Sequence, residues 1–145
     1  CKQRLYKFDL HSNEFQFIEP FEKSGGGIIA PPVNIPEHSI CVCWDSINGG
    51  LAGIDTAEKK LDLSWKIDHI RPTMQPVVFP ESKELVINSF EDNDDKLVVI
   101  DLTNGNILSK VSLKSPLANG MFLTPGLNND IFYCSTRTVA RVSWT

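Results

Sequence analysis

The segment Lys96-Leu97-Val98-Val99-Ile100-Asp101-Leu102 decides the fold, because it occurs in three related versions along the chain. The other two versions are Arg4-Leu5-Tyr6-Lys7-Phe8-Asp9-Leu10 and Gly50-Leu51-Ala52-Gly53-Ile54-Asp55-Thr56. Successive aspartates in these segments are 46 residues apart in both intervals. Short apolar runs rich in β-branched residues are typical of strands, and a fixed period of this size indicates tandem structural repeats.

The similarity extends on both sides of each aspartate. Residues 39–45 align without a gap over 85–91, and the preceding Pro-Val-x-x-Pro at 32–36 aligns over 76–80 and more loosely over 121–125. Each aspartate is followed by a polar turn and then by a second amphipathic run, at residues 15–18, 61–67 and 107–113. In the third copy the turn contains Asn104-Gly105. Asn-Gly between apolar runs is a hairpin signal. Each repeat therefore predicts four antiparallel strands, which we name A (Pro-Val-x-x-Pro), B, C (ending in Asp) and D.

Tandem units of four strands, with no helix-period segment between them, are the pattern of β-propeller blades. We predict an all-β chain in which residues 1–145 form one segment of a propeller, with about three four-stranded blades. The units are 1–21 (partial), 30–67, 74–113 and 119–145 (partial). A single β-sandwich with fortuitous self-similarity is the alternative, since it is also built from short, evenly spaced strands.

The number of blades predicts a partner. Propeller rings typically close with four to eight blades, so about three blades would leave unpaired strand edges. We therefore expect another chain or segment to complete the ring, either a protein partner or a second copy of this chain in an oligomer.

The stretch Leu97-Val98-Val99-Ile100-Asp101-Leu102-Thr103-Asn104-Gly105-Asn106-Ile107-Leu108 resembles the blade repeat of the quinoprotein and YVTN-type propellers. In that repeat, apolar-Asp-x-x-x-Gly-x-apolar closes the hairpin between strands C and D. Residues 54–61 are a second copy, with Lys59 at the position of the family's glycine, and Trp65 lies near the place of the family's tryptophan. The resemblance implies a propeller of the broad WD40-like kind and no particular activity, because dehydrogenases, lactonases, scaffolds and sensors share it.

Composition narrows the classes of partner. With a net charge of −4 over 145 residues, the chain is not a polycation, and we expect no nucleic-acid partner. No apolar run approaches the ~18 residues of a membrane-spanning helix, so we also expect no membrane span. Cys41 and Cys43 would share one face of a B strand, and Cys134 lies in an equivalent strand, which favours buried thiols over a disulfide or a zinc site.

The antiparallel order places the D–A and B–C connections on one face of the repeat, which we call the loop face. There we predict ligand-binding residues that combine an imidazole, a guanidinium and amides: His69, Arg71, Gln75 and Asn119. On the same face the acidic run 91–95 offers calcium ligands in Glu91, Asp92 and Asp94, although a solvated hairpin tip is the ordinary interpretation. We predict no other cofactor.

The function predicted from these residues is a binding or interaction module that recognises a partner or small ligand on the loop face. Two of the three histidines, His11 and His38, fall on the opposite face from His69, so no nucleophile and base can be paired. One alternative is part of a propeller enzyme of the lactonase, hydrolase or dehydrogenase type, with its site completed by other blades. A purely structural scaffold is a further alternative, and whether the chain is an enzyme stays open.

Overall fold

The computed structural model describes residues 3–23, 25, 31–57, 60–115 and 120–144, with Gly120 and Met121 described by their backbone alone. Within these residues the chain is all-β, with one short 3₁₀ turn at Pro36–His38 and no α-helix. The strands are β1 (Leu5–Phe8), β2 (Phe15–Ile18), β3 (Val33–Ile35), β4 (Ile40–Trp44), β5 (Leu51–Asp55), β6 (Asp62–Ile67), β7 (Val77–Phe79), β8 (Glu84–Glu91), β9 (Asp94–Asp101), β10 (Ile107–Ser112), β11 (Gly120–Pro125), β12 (Asp130–Ser135) and β13 (Val139–Ser143).

These strands form four antiparallel sheets in chain order. The first sheet is β1-β2, the second is β3-β4-β5-β6, the third is β7-β8-β9-β10 and the fourth is β11-β12-β13. Every strand pairs with its neighbour in sequence, so each sheet is a simple meander. The all-β prediction is confirmed, and the two complete repeats are four-stranded sheets in the order A-B-C-D.

The four sheets pack face to face in the order of the chain. Leu5 and Ile18 of the first sheet pack on Cys41, Cys43 and Ile54 of the second. The opposite face of the second sheet shares a core with the third sheet, through Val42, Trp44, Leu51, Leu85, Ile87 and Val98. The other face of the third sheet packs on the fourth, through Val86, Val99, Ile131 and Tyr133. The fold is thus a stack of four layers and not a two-layer sandwich.

Burial on both faces explains the continuous apolar runs. Along β9, Val98 and Ile100 face the second sheet while Leu97 and Val99 face the fourth. A strand covered on both sides has no polar face, and its sequence loses the alternation of a half-buried strand. The thiols of Cys41 and Cys43 lie on such a covered strand, and both are free and buried. Removal from water, together with the neighbouring Cys41, raises the pKa of Cys43 to about 12.

Trp65 joins the second sheet to the third. Its indole Nε1 donates a hydrogen bond of 2.8 Å to the backbone oxygen of Leu102. Its ring lies against Gly105, where an added Cβ would be 2.8 Å from the indole and where φ is +76°. Glycine is therefore required at this turn for two reasons, its positive φ and the tryptophan of the neighbouring sheet.

The repeated aspartates close the C–D turns. Asp9 Oδ1 accepts hydrogen bonds from the backbone N–H groups of His11 and Ser12. Asp55 Oδ1 accepts one from Ala57 N, and Asp101 Oδ1 accepts one from Thr103 N, each at 2.8 Å. A hydrogen bond from the backbone of His11 holds the pKa of Asp9 below its usual value, and hydrogen bonds from the side chain and the backbone of Thr103 do so for Asp101. The aspartates that reveal the repeat in the sequence thus stabilise the C–D turns in the structure.

Candidate functional site

Residues 68–76, which connect β6 to β7, cross from the second sheet to the third on the loop face. Gly50 N donates to Ile70 O at 2.8 Å, and Phe90 N donates to Arg71 O at 3.1 Å. Arg71 N donates to Ser89 Oγ at 2.9 Å. Since Gly50 ends the β4–β5 connection and Ser89 and Phe90 lie near the end of β8, the D–A and B–C connections share one face, as the antiparallel order predicts.

Side chains of this connection alternate between the core and solvent. Ile70, Pro72, Met74 and Pro76 are buried, whereas the intervening His69, Arg71, Thr73 and Gln75 are exposed. The connection is not a regular strand, since its backbone bends at Asp68, His69 and Met74. The predicted His69, Arg71 and Gln75 are exposed one after another along it, and we call these three residues the row. The fourth predicted residue, Asn119, lies outside the described residues.

Within the described chain, the side chains of His69, Arg71 and Gln75 have no hydrogen bond or ion pair. The backbone of the first half of the row is nevertheless fixed, because Gly50 N donates to Ile70 O and Arg71 N donates to Ser89 Oγ. Free polar side chains on a fixed backbone are what a recognition surface needs.

Asn88, fully buried on β8, fixes the second half of the row. Its Oδ1 accepts hydrogen bonds from the backbone N–H groups of Thr73, at 3.1 Å, and Met74, at 3.0 Å. Its Nδ2 donates to Thr73 Oγ1 at 2.6 Å and to Asp95 Oδ1 at 2.9 Å. One amide thereby satisfies two backbone donors of the connection, and Gln75, the next residue, is presented from a clamped backbone.

Asp95 extends this network to the fourth sheet. The carboxylate is fully buried, and its Oδ2 accepts a hydrogen bond of 2.7 Å from the hydroxyl of Tyr133. Burial raises the pKa of Tyr133, and the neighbouring Asp95 carboxylate adds to that effect. Sequence reasoning missed this network, although a signal exists: Asn88 and Asp95 are polar residues at core-facing positions of otherwise apolar strands.

The acidic residues proposed as calcium ligands are bound by groups of the protein itself. Glu91 forms ion pairs with Lys110 and Lys96, and Asp92 Oδ2 accepts a hydrogen bond of 3.0 Å from Lys96. Asp94 Oδ1 accepts one of 3.0 Å from Ser115 N. Burial alone would raise the pKa of Glu91, but hydrogen bonds from Lys110 and Ser89 and the two lysine charges lower it overall.

Because these donors occupy the carboxylates, the calcium hypothesis gains no support from the geometry. Within the described ranges, no three His, Cys, Asp or Glu side chains are grouped so as to hold a metal ion.

Two open hollows lie on opposite faces of the protein, and both are lined by polar groups that bond within it. The larger, of about 790 Å³, lies on the opposite face at the β1–β2 turn and is lined by Lys7, Asp9 and Gln16. Those groups already bond within the protein: Lys7 to Thr56 O, Asp9 to its own turn and Gln16 to Leu61 N. The smaller, of about 190 Å³, lies on the loop face, where Asp68 pairs with Lys66 and Asp45 accepts hydrogen bonds from Asn48. The hollows do not decide between the faces, and we place the candidate site on the loop face because of the exposed His69, Arg71 and Gln75.

Comparison of the chain with protein-family models gives no match, and comparison with curated protein sequences gives none at a significant level. The family resemblance of the repeat thus remains an expectation from the sequence. In the described part of the chain, no helix has the length and apolar character needed to cross a membrane.

Proposed function

We propose that the chain is an arc of a β-propeller, completed by another chain or segment, that recognises a partner through the row His69, Arg71 and Gln75. The stacking of four meander sheets in chain order supports the arc, because propeller blades pack on their sequence neighbours in this way. So does the approach of β7 to β11, the A strands of the third and fourth sheets, within 8 Å between Cα atoms. Innermost strands come together when blades fan around an axis.

The observation that carries the recognition proposal is the alternation along residues 69–76. It places three unengaged side chains on one side of a backbone that Asn88 and Ser89 hold in place. Arg71 supplies a planar cation suited to carboxylates, and His69 and Gln75 add hydrogen-bonding groups.

The three side chains are spread over residues 69–75, so a partner that contacts all of them must be elongated. Because the Arg71 guanidinium favours carboxylates, the class of partner that fits best is an extended acidic polypeptide segment.

An enzyme site receives less support from the same residues. Catalysis requires groups that converge within hydrogen-bond distance of a reacting atom. The row extends along the surface, and the acidic residues Asp68 and Glu91 are both paired with lysines. A site completed by other blades would have to bring its own acid and base.

The test is binding of fluorescent peptides with alternating Glu and Val residues, followed by fluorescence polarisation. The variant His69→Ala/Arg71→Ala/Gln75→Ala should keep its circular dichroism spectrum and bind at least about tenfold more weakly, the effect of losing ~1.4 kcal/mol. The matched control is Glu37→Ala/Glu81→Ala/Asn106→Ala, which removes three exposed polar side chains from the opposite face. Equal binding by wild type and loop-face variant, or no binding by wild type, would contradict the proposal.

A further inference from the structure

The outward face of the first sheet is an exposed aromatic surface. Tyr6, Phe8, Phe15 and Phe17 lie on the side away from the second sheet and are 44%, 64%, 58% and 49% exposed. Their rings contact one another, with centroids 5.7–6.2 Å apart. A contiguous cluster of four large apolar side chains on a small protein marks a surface that another molecule covers.

The repeat shows what kind of molecule covers it. One period along the chain, Tyr6 and Phe8 correspond to Ala52 and Ile54, which are fully buried under the first sheet. Two periods along, they correspond to Val98 and Ile100, which are fully buried under the second sheet. In both other copies, a β-sheet that precedes these positions in the stack covers them. The aromatic face is therefore at the position that a preceding sheet covers in the other two copies.

The outward face of the fourth sheet is the counterpart at the other end of the stack. Phe122, Phe132 and Val139 are 61%, 43% and 78% exposed there. One period earlier, Phe132 corresponds to Val86, which is fully buried under the fourth sheet. The face that receives the next sheet in the stack is thus bare in the last copy.

We propose that a second copy of this chain covers both surfaces: the outward face of the fourth sheet of one copy packs on the aromatic face of the first sheet of the other. This contact continues the packing that already joins first to second, second to third and third to fourth sheets. Arg141, on the fourth-sheet face, pairs with Asp130 and lies over the Phe132 ring, and its guanidinium would bring a cation to a surface of four aromatic rings.

Two copies are compatible with a closed ring. The inference rests on the propeller arrangement proposed above, in which successive sheets fan around one axis. The described residues form four sheets, so two copies supply eight, within the four to eight blades of known rings. Both contacts are heterologous, and a two-fold axis relates them.

The test uses sedimentation velocity and light scattering on the whole chain. Wild type at about 100 µM, where a micromolar contact is nearly saturated, should have a mass of about 32 kDa, twice the 16.2 kDa of one chain. Phe8→Asp and Phe132→Asp should each shift the mass to that of one chain. The matched control Leu63→Asp, at an exposed apolar position on β6, should stay paired.

Mixing the two variants separates this assembly from a symmetric one. Phe8→Asp keeps an intact fourth-sheet face and Phe132→Asp keeps an intact first-sheet face, so an equimolar mixture should recover pairs through one contact. A variant that had merely misfolded would recover none, and Tyr6→Asp in place of Phe8→Asp provides a second first-sheet variant. A monomeric wild type would overturn the proposal, as would a Phe132→Asp protein that stays paired.

The loop-face peptide assay distinguishes this proposal from the recognition proposal. A monomeric wild type that binds the acidic peptide would overturn the pairing alone. A paired wild type that binds no peptide would overturn loop-face recognition alone.

Discussion

Replacing Asn88 with alanine should destabilise the fold and weaken recognition together. The substitution removes one amide that bonds to Thr73 and Met74 of the connection and to Asp95 of β9. Thr73 is exposed and can bond to water instead, but Met74 and Asp95 are buried. The Met74 N–H and Asp95 Oδ1 would therefore lose a partner without an easy replacement.

The magnitude follows from those two groups. A buried polar group that loses its hydrogen bond costs about 1–3 kcal/mol. Two such groups give about 2–6 kcal/mol, and partial hydration of the space left by the amide brings the expected loss to about 2–4 kcal/mol. This is a large share of the 5–15 kcal/mol that typically separates folded from unfolded domains.

Urea denaturation followed by tryptophan fluorescence measures the loss as a lower midpoint at unchanged slope. Asn34→Ala is the matched control, because Asn34 is an exposed asparagine on a strand, and a change within about 0.5 kcal/mol is expected there. The peptide assay should show weaker binding for Asn88→Ala under conditions in which both variants are folded. If the two variants have the same midpoint, Asn88 does not clamp the connection.

Three further outcomes are expected. Trp65→Phe removes the donor to the buried Leu102 carbonyl and should lower the free energy of unfolding by about 1–3 kcal/mol; a change below about 0.5 kcal/mol would show that the indole N–H is dispensable. Cys43, with its pKa of about 12, should resist iodoacetamide at pH 8 in the native protein and react in urea, as peptide mapping by mass spectrometry would show; rapid native labelling would contradict this. Asp101 has a lowered pKa in the folded protein, so the stability that its ionised carboxylate contributes is complete above about pH 4 and is lost as the pH falls through the folded pKa. Asp101→Asn should therefore reduce the pH dependence of the urea midpoint below about pH 4. An unchanged pH dependence would rule out this contribution.

Strand positions were predictable because the burial of each strand against its neighbours determines its pattern of apolar residues. The period of 46 residues located strands B, C and D of the second and third sheets to within two residues, since each strand meets equivalent neighbours in each copy. Residues one period apart point to equivalent faces of their strands, so the exposed Phe8 can be compared with the buried Ile54. The repeat does not identify the hydrogen-bond partners of a buried polar residue, because Asn88 accepts from backbone N–H groups that are 14 and 15 residues away.

The acidic run 91–95 shows how charge alone misleads. In the sequence the run is one cluster of carboxylates, but in the structure it forms a β-hairpin that distributes them over two strands and a turn. Glu91 and Asp94 face each other across the β8–β9 pair, Asp92 is in the turn, and Asp95 points into the core toward Tyr133. Knowledge of the turn position would have shown that Asp95 points to the opposite side of the strand pair from Glu91 and Asp94, and that it had to be satisfied inside the protein.

The proposed recognition and the proposed assembly would use surfaces at right angles to each other, so each could act without disturbing the other. The row His69, Arg71 and Gln75 lies at the strand ends, whereas the proposed contact uses sheet faces. A two-fold axis along the centre of the ring would keep both rows on the same face, on opposite sides of the axis. A partner with two acidic segments could then bind both rows at once, and the second contact would gain from effective concentration without any new interaction. Pairing would thus raise the affinity for divalent partners while leaving that for a single peptide unchanged.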